Sequence, residues 1–228
     1  MPIVFPHPNE ATPEGLVAVG GNLEATTLIE AYSQGIFPWP IGENYPLTWF
    51  SPDPRGILFL EKLHLPHSLD KFMKKTNYKV FFNRDFESVI HQCSISPHRK
   101  DGQKTWILPE LQTAYTDLFK QGHAFCVEVE YDGELAGGLY GVNLGWSIAG
   151  ESMFYLKDNA SKIALYELGL KLKEKGIIWL DTQMVTEVTE LLGAHNISRN
   201  DFLALLDKAK EKKGEVLNFP SPNHFIFS

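Results

Sequence analysis

A run of three predicted strands over residues 125–155 is the feature that most constrains the fold of this chain. Residues 125–131 alternate in polarity and are rich in valine and aromatic side chains, and Asp132-Gly133 is a typical hairpin turn. Residues 134–142 and 146–155 predict the second and third strands. Because short connections join the three strands, the sequence predicts an antiparallel meander.

Four glycines fall inside these strands, namely Gly137, Gly138, Gly141 and Gly150. Glycine weakens the interior of a strand unless another backbone or a ligand must approach it closely. The sequence therefore leaves two explanations open. The glycines either permit such a close approach, or they mark bulges and bends in the strands.

The segment after the meander predicts a helix and then a buried strand. Asp158 or Asn159 is a candidate cap for a helix with a broad apolar face, and Gly176 ends that helix. Residues 177–180 form a short apolar run, which is typical of a buried strand. Residues 151–181 are thus predicted to form a strand-helix-strand crossover.

Two polar residues, Asp181 and Gln183, follow the predicted buried strand. Crevices at the carboxyl ends of strands in open sheets tend to bind ligands. Residues two apart on a strand point to the same side. We therefore expect both side chains to face one substrate.

The first sixty residues differ from the rest in being rich in proline and aromatic residues. One helix is predicted over residues 23–34, with Asn22 as its cap and Gly35 after its end. The aromatic residues of segments 35–39 and 48–55 form either a compact core or the wall of a pocket. A chain of 228 residues with this change of composition fits one large domain or two unequal ones.

A basic stretch follows the aromatic region. Its cations are Lys62, Lys71, Lys74, Lys75, Lys79 and Arg84, with only Glu61, Asp70 and Asp85 to offset them. Charge alone favours a solvated helix face. The alternative is a patch that contacts phosphates, because a local group of cations binds nucleic acid even when the whole chain is acidic.

Composition and missing motifs exclude several classes of function. The net charge of -7 argues against general nucleic-acid binding, and the sequence predicts neither a membrane span nor a signal peptide. Two cysteines, Cys93 and Cys126, indicate reduced thiols and a cytoplasmic location. The spacing of His91, Cys93 and His98 fits no standard zinc site. The chain has no P-loop, no G-x-G-x-x-G after a strand, no H-E-x-x-H and no G-x-S-x-G.

Many short blocks occur together, in order, between about residues 5 and 206. They are Gly15-Leu-Val-Ala-Val-Gly-Gly-Asn-Leu23, Ala31-Tyr32, Gly35-Ile-Phe-Pro-Trp39, Trp49-Phe-Ser-Pro-Asp-Pro-Arg55, Thr105-Trp-Ile107, Gly137-Gly-Leu-Tyr-Gly141, Gly150-Glu-Ser-Met-Phe154, Ala160-Ser-Lys162, Asp181-Thr-Gln183 and Leu192-Gly-Ala194. Taken together, they resemble the bacterial leucyl/phenylalanyl-tRNA–protein transferases. Function is predicted from this resemblance and not from periodicity or composition.

The resemblance implies an α+β fold with two parts. Residues 1–63 would form a small N-terminal domain rich in proline and aromatic residues. Residues 64–228 would form a larger catalytic domain similar to the acetyltransferase (GNAT) fold, with a mixed, largely antiparallel sheet.

The resemblance also implies an activity. Members of the family move leucine, phenylalanine or methionine from an aminoacyl-tRNA onto the N-terminal α-amine of a protein beginning with arginine or lysine. This transfer marks the acceptor for degradation through the N-degron pathway. The family uses no metal or cofactor, and a cytoplasmic monomer is expected.

Motif positions assign the site residues that the resemblance implies. Asp181 and Gln183 take the places assigned to catalysis. The aminoacyl pocket and terminal adenosine would involve Trp49, Trp106, Leu139, Ile148, Glu151, Met153 and Leu180. The tRNA acceptor stem would meet Lys71, Lys74, Lys75 and Lys79.

The residues are chemically compatible with this assignment. An aminoacyl ester is already activated, and a protein α-amine has a pKa of about 7.7 to 8.0, so a strong base is not essential. The enzyme must align the amine with the ester and supply hydrogen-bond donors for the developing oxyanion. The Gln183 amide oxygen would accept a hydrogen bond from the attacking amine. Asp181 would orient Gln183, take the surplus proton or, as we prefer, pair with the incoming basic residue. Glu151 has the alternative role of satisfying backbone amides.

The chain departs from the family pattern at several positions. Phe50 stands where a second tryptophan is usual, Phe125 lies where the family has histidine, Thr182 replaces a common cysteine, and Val188 stands where histidine is frequent. Leu168 and Leu172 occupy positions where some members have aromatics. These changes leave open the ranking of leucine, phenylalanine and methionine.

Two other functions remain possible from the sequence. An acyl-CoA transferase of the same fold would need a glycine-rich pyrophosphate loop before the central helix, and Lys157-Asp-Asn-Ala-Ser-Lys162 lacks one. The other alternative is a protein that binds tRNA or peptides without catalysing transfer.

Overall fold

A computed structural model describes residues 4–42, 44–96, 105–211 and 219. Within this part of the chain, the strands are β1 (Leu16–Val19), β2 (Phe37–Pro38), β3 (Thr48–Phe50), β4 (Arg55–Phe59), β5 (Tyr78–Phe82), β6 (Ala124–Tyr131), β7 (Glu134–Asn143), β8 (Ile148–Tyr155), β9 (Trp179–Gln183) and β10 (His195–Ile197). The α-helices are α1 (Ala25–Ser33), α2 (His67–Met73), α3 (Phe86–Ile95), α4 (Pro109–Lys120), α5 (Ala160–Glu174), α6 (Glu187–Leu191) and α7 (Arg199–Glu211). Short 3-10 helices lie at Pro8–Glu10 and Leu60–Lys62.

The strands form two sheets. The smaller one has the order β1-β3-β2, and the larger one has the order β10-β4-β9-β8-β7-β6-β5. All neighbours in the larger sheet are antiparallel except β8 and β9, which are parallel. The predicted α+β fold with a mixed, largely antiparallel sheet is therefore confirmed.

The meander follows the prediction closely. Strands β6, β7 and β8 pair in sequence order, and Asp132 and Gly133 form the tight turn between the first two. Both turn residues have positive φ, 53° and 85°, as a two-residue hairpin turn requires.

The strand glycines satisfy both explanations that the sequence left open. A Cβ atom on Gly137 would lie 2.7 Å from the Cβ of Ala160 at the start of α5, so this glycine lets the helix approach the sheet. A Cβ atom on Gly141 would collide with the carbonyl oxygen of Ala149 on β8. The pairing of β7 with β8 is also irregular between Tyr140 and Gly141.

The predicted crossover is present as β8, α5 and β9. The predicted side-chain cap is wrong, because Asn159 precedes the helix in a left-handed conformation (φ 64°) and its side chain caps no backbone amide. The amide oxygen of Asn159 instead accepts a hydrogen bond from Nζ of Lys162. Helix α5 forms without this side-chain cap, because packing of its apolar face against the sheet stabilises it.

The larger sheet lies between two layers of helices. Alternate residues of β6 divide between the layers, so Phe125, Val127 and Val129 pack with the α5 layer, and Cys126 packs with α3 and α4. The first core also contains α5 residues such as Leu165 and Leu168. Since β6 is covered on both faces, all of its residues are buried except the half-buried Glu130, and the buried Glu128 pairs with Arg84.

The N-terminal region contributes to both sheets. Strands β1, β2 and β3 form the small sheet, whereas β4 lies between β9 and β10 in the large one. The domain boundary predicted at residue 63 stays a prediction. Helix α1 begins at Ala25 rather than at residue 23, and Oδ1 of Asn22 accepts hydrogen bonds from the Glu24 amide and the Thr27 hydroxyl.

Cys93 and Cys126 are both buried, and neither forms a disulfide. In the described residues, no helix combines the length and the apolar character that crossing a membrane requires.

Candidate active site

A cavity of about 350 Å³ lies where β8 and β9 separate. These two strands pair at one position, where Ala149 lies opposite Asp181. Beyond this position Gly150, Glu151, Met153 and Gln183 line the cavity. The cavity therefore occupies the carboxyl end of β9, the end of the strand at which the sequence predicted a ligand site.

The cavity wall is mainly apolar with a few polar groups. Its apolar side chains are Phe37, Pro38, Trp39, Trp106, Leu139, Met153, Leu165, Leu168, Leu180, Met184 and Val188, with the tyrosines Tyr140 and Tyr155. Its other polar side chains are Ser96, Glu151, Ser152, Ser161, Thr182, Gln183, Thr186 and Thr189. An apolar pocket with few polar groups is typical of a small-molecule site.

Five of the residues predicted for substrate binding line this cavity: Trp106, Leu139, Glu151, Met153 and Leu180. Trp49 and Ile148 do not. Trp49 is fully buried against Phe5, and its Nε1 donates a hydrogen bond to the Gly20 carbonyl over 2.9 Å. Ile148 is fully buried in the core that contains α5. The aromatic wall is formed instead by Trp39 and Trp106, whose ring centroids are 6.3 Å apart.

Gln183 and Glu151 form a polar pair in the cavity wall. Nε2 of Gln183 donates a 2.7 Å hydrogen bond to Oε1 of Glu151. The hydroxyl of Tyr115 donates to Oε2 of Glu151 over 3.2 Å, and the hydroxyls of Tyr115 and Tyr32 lie 2.5 Å apart. Glu151 is thus held by side chains from α1, α4 and β9. Among the described residues its hydrogen-bond donors are side chains and not the backbone amides that the sequence left as an alternative.

The environment of Glu151 changes its protonation. Burial raises the pKa of Glu151 to about 7, and the charge of Asp181 acts in the same direction. Hydrogen bonds from Tyr32 and Tyr115, with the charge of Arg55, oppose this increase in the pKa of Glu151. Glu151 therefore titrates near neutral pH, the range in which a carboxyl group both accepts and releases a proton.

Asp181 occupies a different environment from the one predicted. Arg55 donates from Nε to Oδ1 (2.9 Å) and from its terminal nitrogen to Oδ2 (2.6 Å), and the Gln183 amide donates to Oδ1 (2.9 Å). Asp181 is buried and does not line the cavity. Because both carboxylate oxygens are already paired, the prediction that Asp181 binds the incoming basic residue is wrong for this conformation.

Arg55 is the buried partner of Asp181. Its guanidinium lies 4.9 Å from the ring centroid of Phe37 and 4.4 Å from that of Phe202. It also donates a 3.1 Å hydrogen bond to the carbonyl of Gly35. Arg55 thus joins the aromatic N-terminal region to β9 and α7, and it fixes the carboxylate of Asp181 at the same time.

The backbone of Gln183 explains why the two side chains diverge. Gln183 has φ of 60°, a left-handed conformation that costs a non-glycine residue about 1–2 kcal/mol. At this residue the alternation of an extended strand ends, so the rule that residues two apart face the same side does not apply. The Gln183 side chain lies in the cavity wall, while the Asp181 side chain turns into the protein.

The predicted tRNA-binding lysines do not line the cavity. Lys71 belongs to α2, Lys74 and Lys75 follow its end, and Lys79 belongs to β5. Strand β5 is the edge strand, three strand spacings of about 4.8 Å from β8. Lys71, Lys74 and Lys75 are exposed, and Nζ of Lys74 donates to Asp70 over 2.8 Å.

Three residues of the site, Tyr32, Tyr115 and Arg55, were not predicted from the sequence. Tyr32 lies on α1 and Tyr115 on α4, and no local pattern pairs two hydroxyls 83 residues apart. Arg55 ends the aromatic segment that precedes β4, and its partner lies 126 residues later. Such pairs become visible only when the chain is folded.

Among the described residues, no three or more His, Cys, Asp or Glu side chains form a group that could hold a metal ion. His98, which the sequence placed near His91 and Cys93, lies outside the described residues.

Comparison with protein families gives two matches. Residues 57–207 match the family model described as leucyl/phenylalanyl-tRNA protein transferase, and residues 21–53 match the N-terminal domain model of the same family. Two segments of this chain therefore fit the two parts of a single family.

Several proteins named leucyl/phenylalanyl-tRNA protein transferase are similar over most of their length. The protein from Maridesulfovibrio salexigens is 46% identical over 91% of this chain and 86% of its own. Those from Pseudomonas fluorescens and Nitratidesulfovibrio vulgaris are 44% and 40% identical over 93% and 98% of this chain, and over 88% and 94% of their own.

Solved structures overlap the chain less completely. The structure of L-PGS from Bacillus licheniformis covers 69% of this chain and 64% of its own, with 14% identity and a TM-score of 0.42. The family models and the identities to full-length relatives are decisive, and this chain belongs to the leucyl/phenylalanyl-tRNA protein transferase family.

Proposed function

We propose that this aminoacyltransferase moves leucine, phenylalanine or methionine from an aminoacyl-tRNA to the N-terminal α-amine of proteins beginning with arginine or lysine. The transfer would mark those proteins for degradation through the N-degron pathway. Family membership supports the reaction class. The observation that most strongly supports the site is an apolar cavity with the Glu151–Gln183 pair in its wall.

The apolar wall suits the side chains of the proposed donors. Trp106, Leu139, Met153, Leu168 and Leu180 offer an aromatic and aliphatic surface without a charged group. Such a pocket separates substrates that differ by one methylene by only ~1–3 kcal/mol, so several aliphatic or aromatic aminoacyl groups without a branch at Cβ would be accepted. Valine and isoleucine would fit less well because of their shape.

Gln183 is the proposed contact of the attacking amine. Its Nε2 is committed to Glu151, and no described residue donates a hydrogen bond to its amide oxygen. That oxygen would accept a hydrogen bond from the neutral α-amine and direct the nitrogen lone pair at the ester carbonyl carbon. A carbon–nitrogen bond forms, and the bond between that carbon and the terminal ribose oxygen breaks.

Glu151 is the proposed carrier of the proton. The amine nitrogen must lose one proton, and the departing ribose oxygen must gain one. A carboxyl group with a pKa of about 7 accepts the first and returns the second near neutral pH, with no net change of the enzyme. Because Gln183 donates a hydrogen bond to Glu151, this carboxyl group would lie next to the side chain that is proposed to bind the reacting amine.

Asp181 is proposed to act through Gln183 rather than on the substrate. Its Oδ1 accepts from the Gln183 backbone amide, and its charge is balanced by Arg55. These contacts hold Gln183 in the left-handed conformation that turns its side chain into the cavity wall. Asp181 is therefore a positioning residue in this proposal.

The lysines are proposed to bind the tRNA. Strand β5, which carries Lys79, lies about 14 Å from β8 by the spacing of strands, a distance that an acceptor stem would span when its terminal nucleotide enters the cavity. A cytoplasmic monomer is the proposed form, and the two cysteines, neither of which forms a disulfide, support the cytoplasmic location.

The proposed reaction is tested by transfer of labelled leucine or phenylalanine from charged tRNA. The acceptors are a model protein beginning with arginine, a twin beginning with glycine, and the arginine protein acetylated at its α-amine. Label on the arginine protein alone is expected. Absence of label from every acceptor, with folded enzyme and intact charged tRNA, would favour a protein that binds tRNA or peptides without catalysing transfer.

A further inference from the structure

A second concave site adjoins the cavity. It has a volume of about 250 Å³ and is lined by Glu14, Phe37, Trp39, Ile41, Phe50, Pro52 and Met184. We call it the side groove. Phe37, Trp39 and Met184 line both the side groove and the cavity, so the two sites share a wall. Met184 also follows Gln183 directly in the chain.

The side groove has an apolar surface that is open to water. The rings of Trp39 and Phe50 pack edge to face with centroids 6.1 Å apart. Ile41 is 59% exposed and Met184 is 41% exposed, although each lines the groove. Large apolar side chains are expected to remain this exposed beside a groove when a ligand covers them.

One charged residue, Glu14, lines the groove. It belongs to the turn formed by Thr12, Pro13, Glu14 and Gly15, in which the Gly15 amide donates to the Thr12 carbonyl over 2.8 Å. Proline in the second position and glycine in the fourth are typical of a type I turn. Gly15 has φ of 90°, and a Cβ atom there would lie 2.9 Å from Pro52, so the turn is held against the groove wall.

The groove chemistry favours a ligand with an apolar stem and a positive end. Lysine and arginine side chains place their methylenes on apolar surface and keep the charged group in water, and their cations are attracted to aromatic faces. Glu14 provides an opposite charge for such a cation. The same carboxylate repels the phosphates of a nucleic acid, which makes the tRNA a poorer occupant of this groove.

The main site also lacks a free anion for a basic acceptor residue. Both oxygens of Asp181 are paired with Arg55 and the Gln183 amide. Glu151 is held by Gln183 and Tyr115 and has a pKa of about 7, so it is not a fixed charge. Recognition of the cation therefore requires an anion elsewhere, and among the residues that line the two sites Glu14 is the remaining carboxylate.

We propose that the side groove binds the side chain of the acceptor's N-terminal arginine or lysine. Glu14 pairs with the positive charge, and Trp39 and Phe50 contact the methylenes. The α-amine then lies on the Met184 side of the groove, next to Gln183. This inference rests on the proposed function and extends it, because it assigns the acceptor rule to residues outside the aminoacyl cavity.

The test compares Glu14→Gln and Glu14→Lys with the matched pair Glu30→Gln and Glu30→Lys. Glu30 is an exposed glutamate of α1 that does not line the groove. Each enzyme is assayed with an acceptor peptide beginning with arginine and with a twin beginning with citrulline, which has the same shape and no charge. The measurements are KM for each peptide, KM for the aminoacyl-tRNA and kcat at saturation.

An exposed ion pair predicts a moderate but selective effect. Glu14→Gln is expected to raise KM for the arginine peptide roughly threefold to fivefold, and Glu14→Lys by about tenfold or more. KM for the citrulline peptide is expected to change little. The Glu14→Gln substitution in the enzyme and the change from arginine to citrulline in the peptide should therefore couple in a double-mutant cycle. KM for the tRNA and kcat at saturation should stay the same, and the Glu30 variants should match the unmodified enzyme.

Three results would overturn the inference. They are an unchanged KM for the arginine peptide in both Glu14 variants, an equal loss for arginine and citrulline peptides, or a change in KM for the tRNA instead of the peptide. The last result would place the tRNA in the groove.

Direct binding separates this inference from the proposed reaction. Fluorescence titration of a labelled arginine peptide, without tRNA, needs no catalysis. Binding that weakens in Glu14→Lys supports the groove assignment even if the enzyme transfers no amino acid, in which case only the proposed reaction fails. Transfer by the unmodified enzyme without any effect of Glu14 on peptide binding or KM overturns the groove assignment and leaves the reaction in place.

Discussion

Two charged regions of this protein differ in how water reaches them. The buried network consists of Tyr32, Arg55, Tyr115, Glu151, Asp181 and Gln183, which meet between α1, α4, β4, β8 and β9. The lysine cluster consists of Lys71, Lys74, Lys75 and Lys79 at the edge of the sheet. The first fixes its groups at hydrogen-bond distances, and the second presents charge on long side chains in solvent.

The difference in environment determines what each region can do. Removing one partner of a buried ion pair costs about 3–5 kcal/mol, because the other charge is left unpaired, whereas an exposed pair contributes about 0.2–1 kcal/mol. Fixed geometry suits bond making, which requires the reacting atoms to be aligned. Solvated cations suit the encounter with a polyanion, since their attraction acts at a distance and weakens with salt.

The largest expected effect is that of Asp181→Asn in the buried network. The substitution leaves Arg55 buried without its counter-charge, so we expect a loss of about 3–5 kcal/mol in the free energy of unfolding. Loss of the correct Gln183 conformation should also abolish most of the transfer activity. Denaturant unfolding and single-turnover transfer measure the two effects.

Asp70→Asn is the matched control for Asp181→Asn. It makes the same chemical change in an ion pair of similar length, since Asp70 and Lys74 are 2.8 Å apart and Lys74 is exposed. Its cost should stay below about 1 kcal/mol. Equal costs for Asp70→Asn and Asp181→Asn would show that burial does not distinguish the two regions.

The second prediction concerns turnover without loss of the fold. Gln183→Ala removes the proposed contact of the attacking amine, and we expect kcat to fall about 100-fold, as for loss of one well-placed polar group in other active sites. Tyr115 still donates to Glu151 and Arg55 still pairs with Asp181 in this variant, so the free energy of unfolding should change little. KM for the tRNA should be unaffected.

Gln121→Ala, at the exposed end of α4, is the control for Gln183→Ala. It removes the same chemical group far from the cavity wall and should leave kcat unchanged. An equal loss of kcat and tRNA affinity in Gln183→Ala would contradict the proposed catalytic contact.

The third prediction concerns the lysine cluster. Charge reversal in Lys74→Glu/Lys75→Glu should weaken tRNA binding about tenfold at low salt and reduce the steepness of its salt dependence by about one unit per lost phosphate contact. Lys173→Glu/Lys175→Glu, in the exposed last turn of α5 and just after it, is the control. An unchanged salt slope in the first pair would remove Lys74 and Lys75 from the interface. Neither pair should change kcat at saturating tRNA.

The contrast between regions also explains what the sequence could predict. The meander, the crossover and a ligand site at the end of β9 were predicted from local alternation, turn residues and glycine positions. The structure contains the meander, the crossover and a cavity at that end of β9. The pairing of Arg55 with Asp181 leaves no such local pattern. Likewise, composition cannot decide that Trp39 faces the cavity while Trp49 is buried beside Phe5, because both are tryptophans in aromatic segments.

The misplaced prediction for Asp181 has a specific physical cause. The rule that residues two apart face one side holds for an extended strand, and Gln183 is not extended. A residue other than glycine is strained in the left-handed backbone conformation, and such strain is more common at functional sites than elsewhere. The sequence Asp-Thr-Gln does not reveal this conformation, which depends on the acceptor that Asp181 offers to the Gln183 amide.

The smallest expected effect is the change of pH dependence caused by Tyr115→Phe. The hydroxyl of Tyr115 donates to Glu151 and lowers a pKa that burial raises to about 7. Without this donor the pKa of Glu151 rises further, so less of Glu151 is ionised at neutral pH. Only the ionised carboxylate accepts the proton, and we therefore expect the acidic limb of kcat to move to higher pH, with several-fold lower turnover near pH 7 and recovery near pH 9.

Tyr131→Phe is the control for the pH shift, because its hydroxyl donates to the Asp158 carbonyl and does not contact Glu151. Its pH profile should match that of the unmodified enzyme.

The stability of Tyr115→Phe should respond to pH in the opposite sense to its activity. A carboxyl group whose pKa is raised on folding binds more protons in the folded state, so stability falls as the pH rises from about 4.5 to about 7. In Tyr115→Phe the fall in stability should extend to higher pH. A loss of activity that is uniform across pH would instead assign Tyr115 to packing alone.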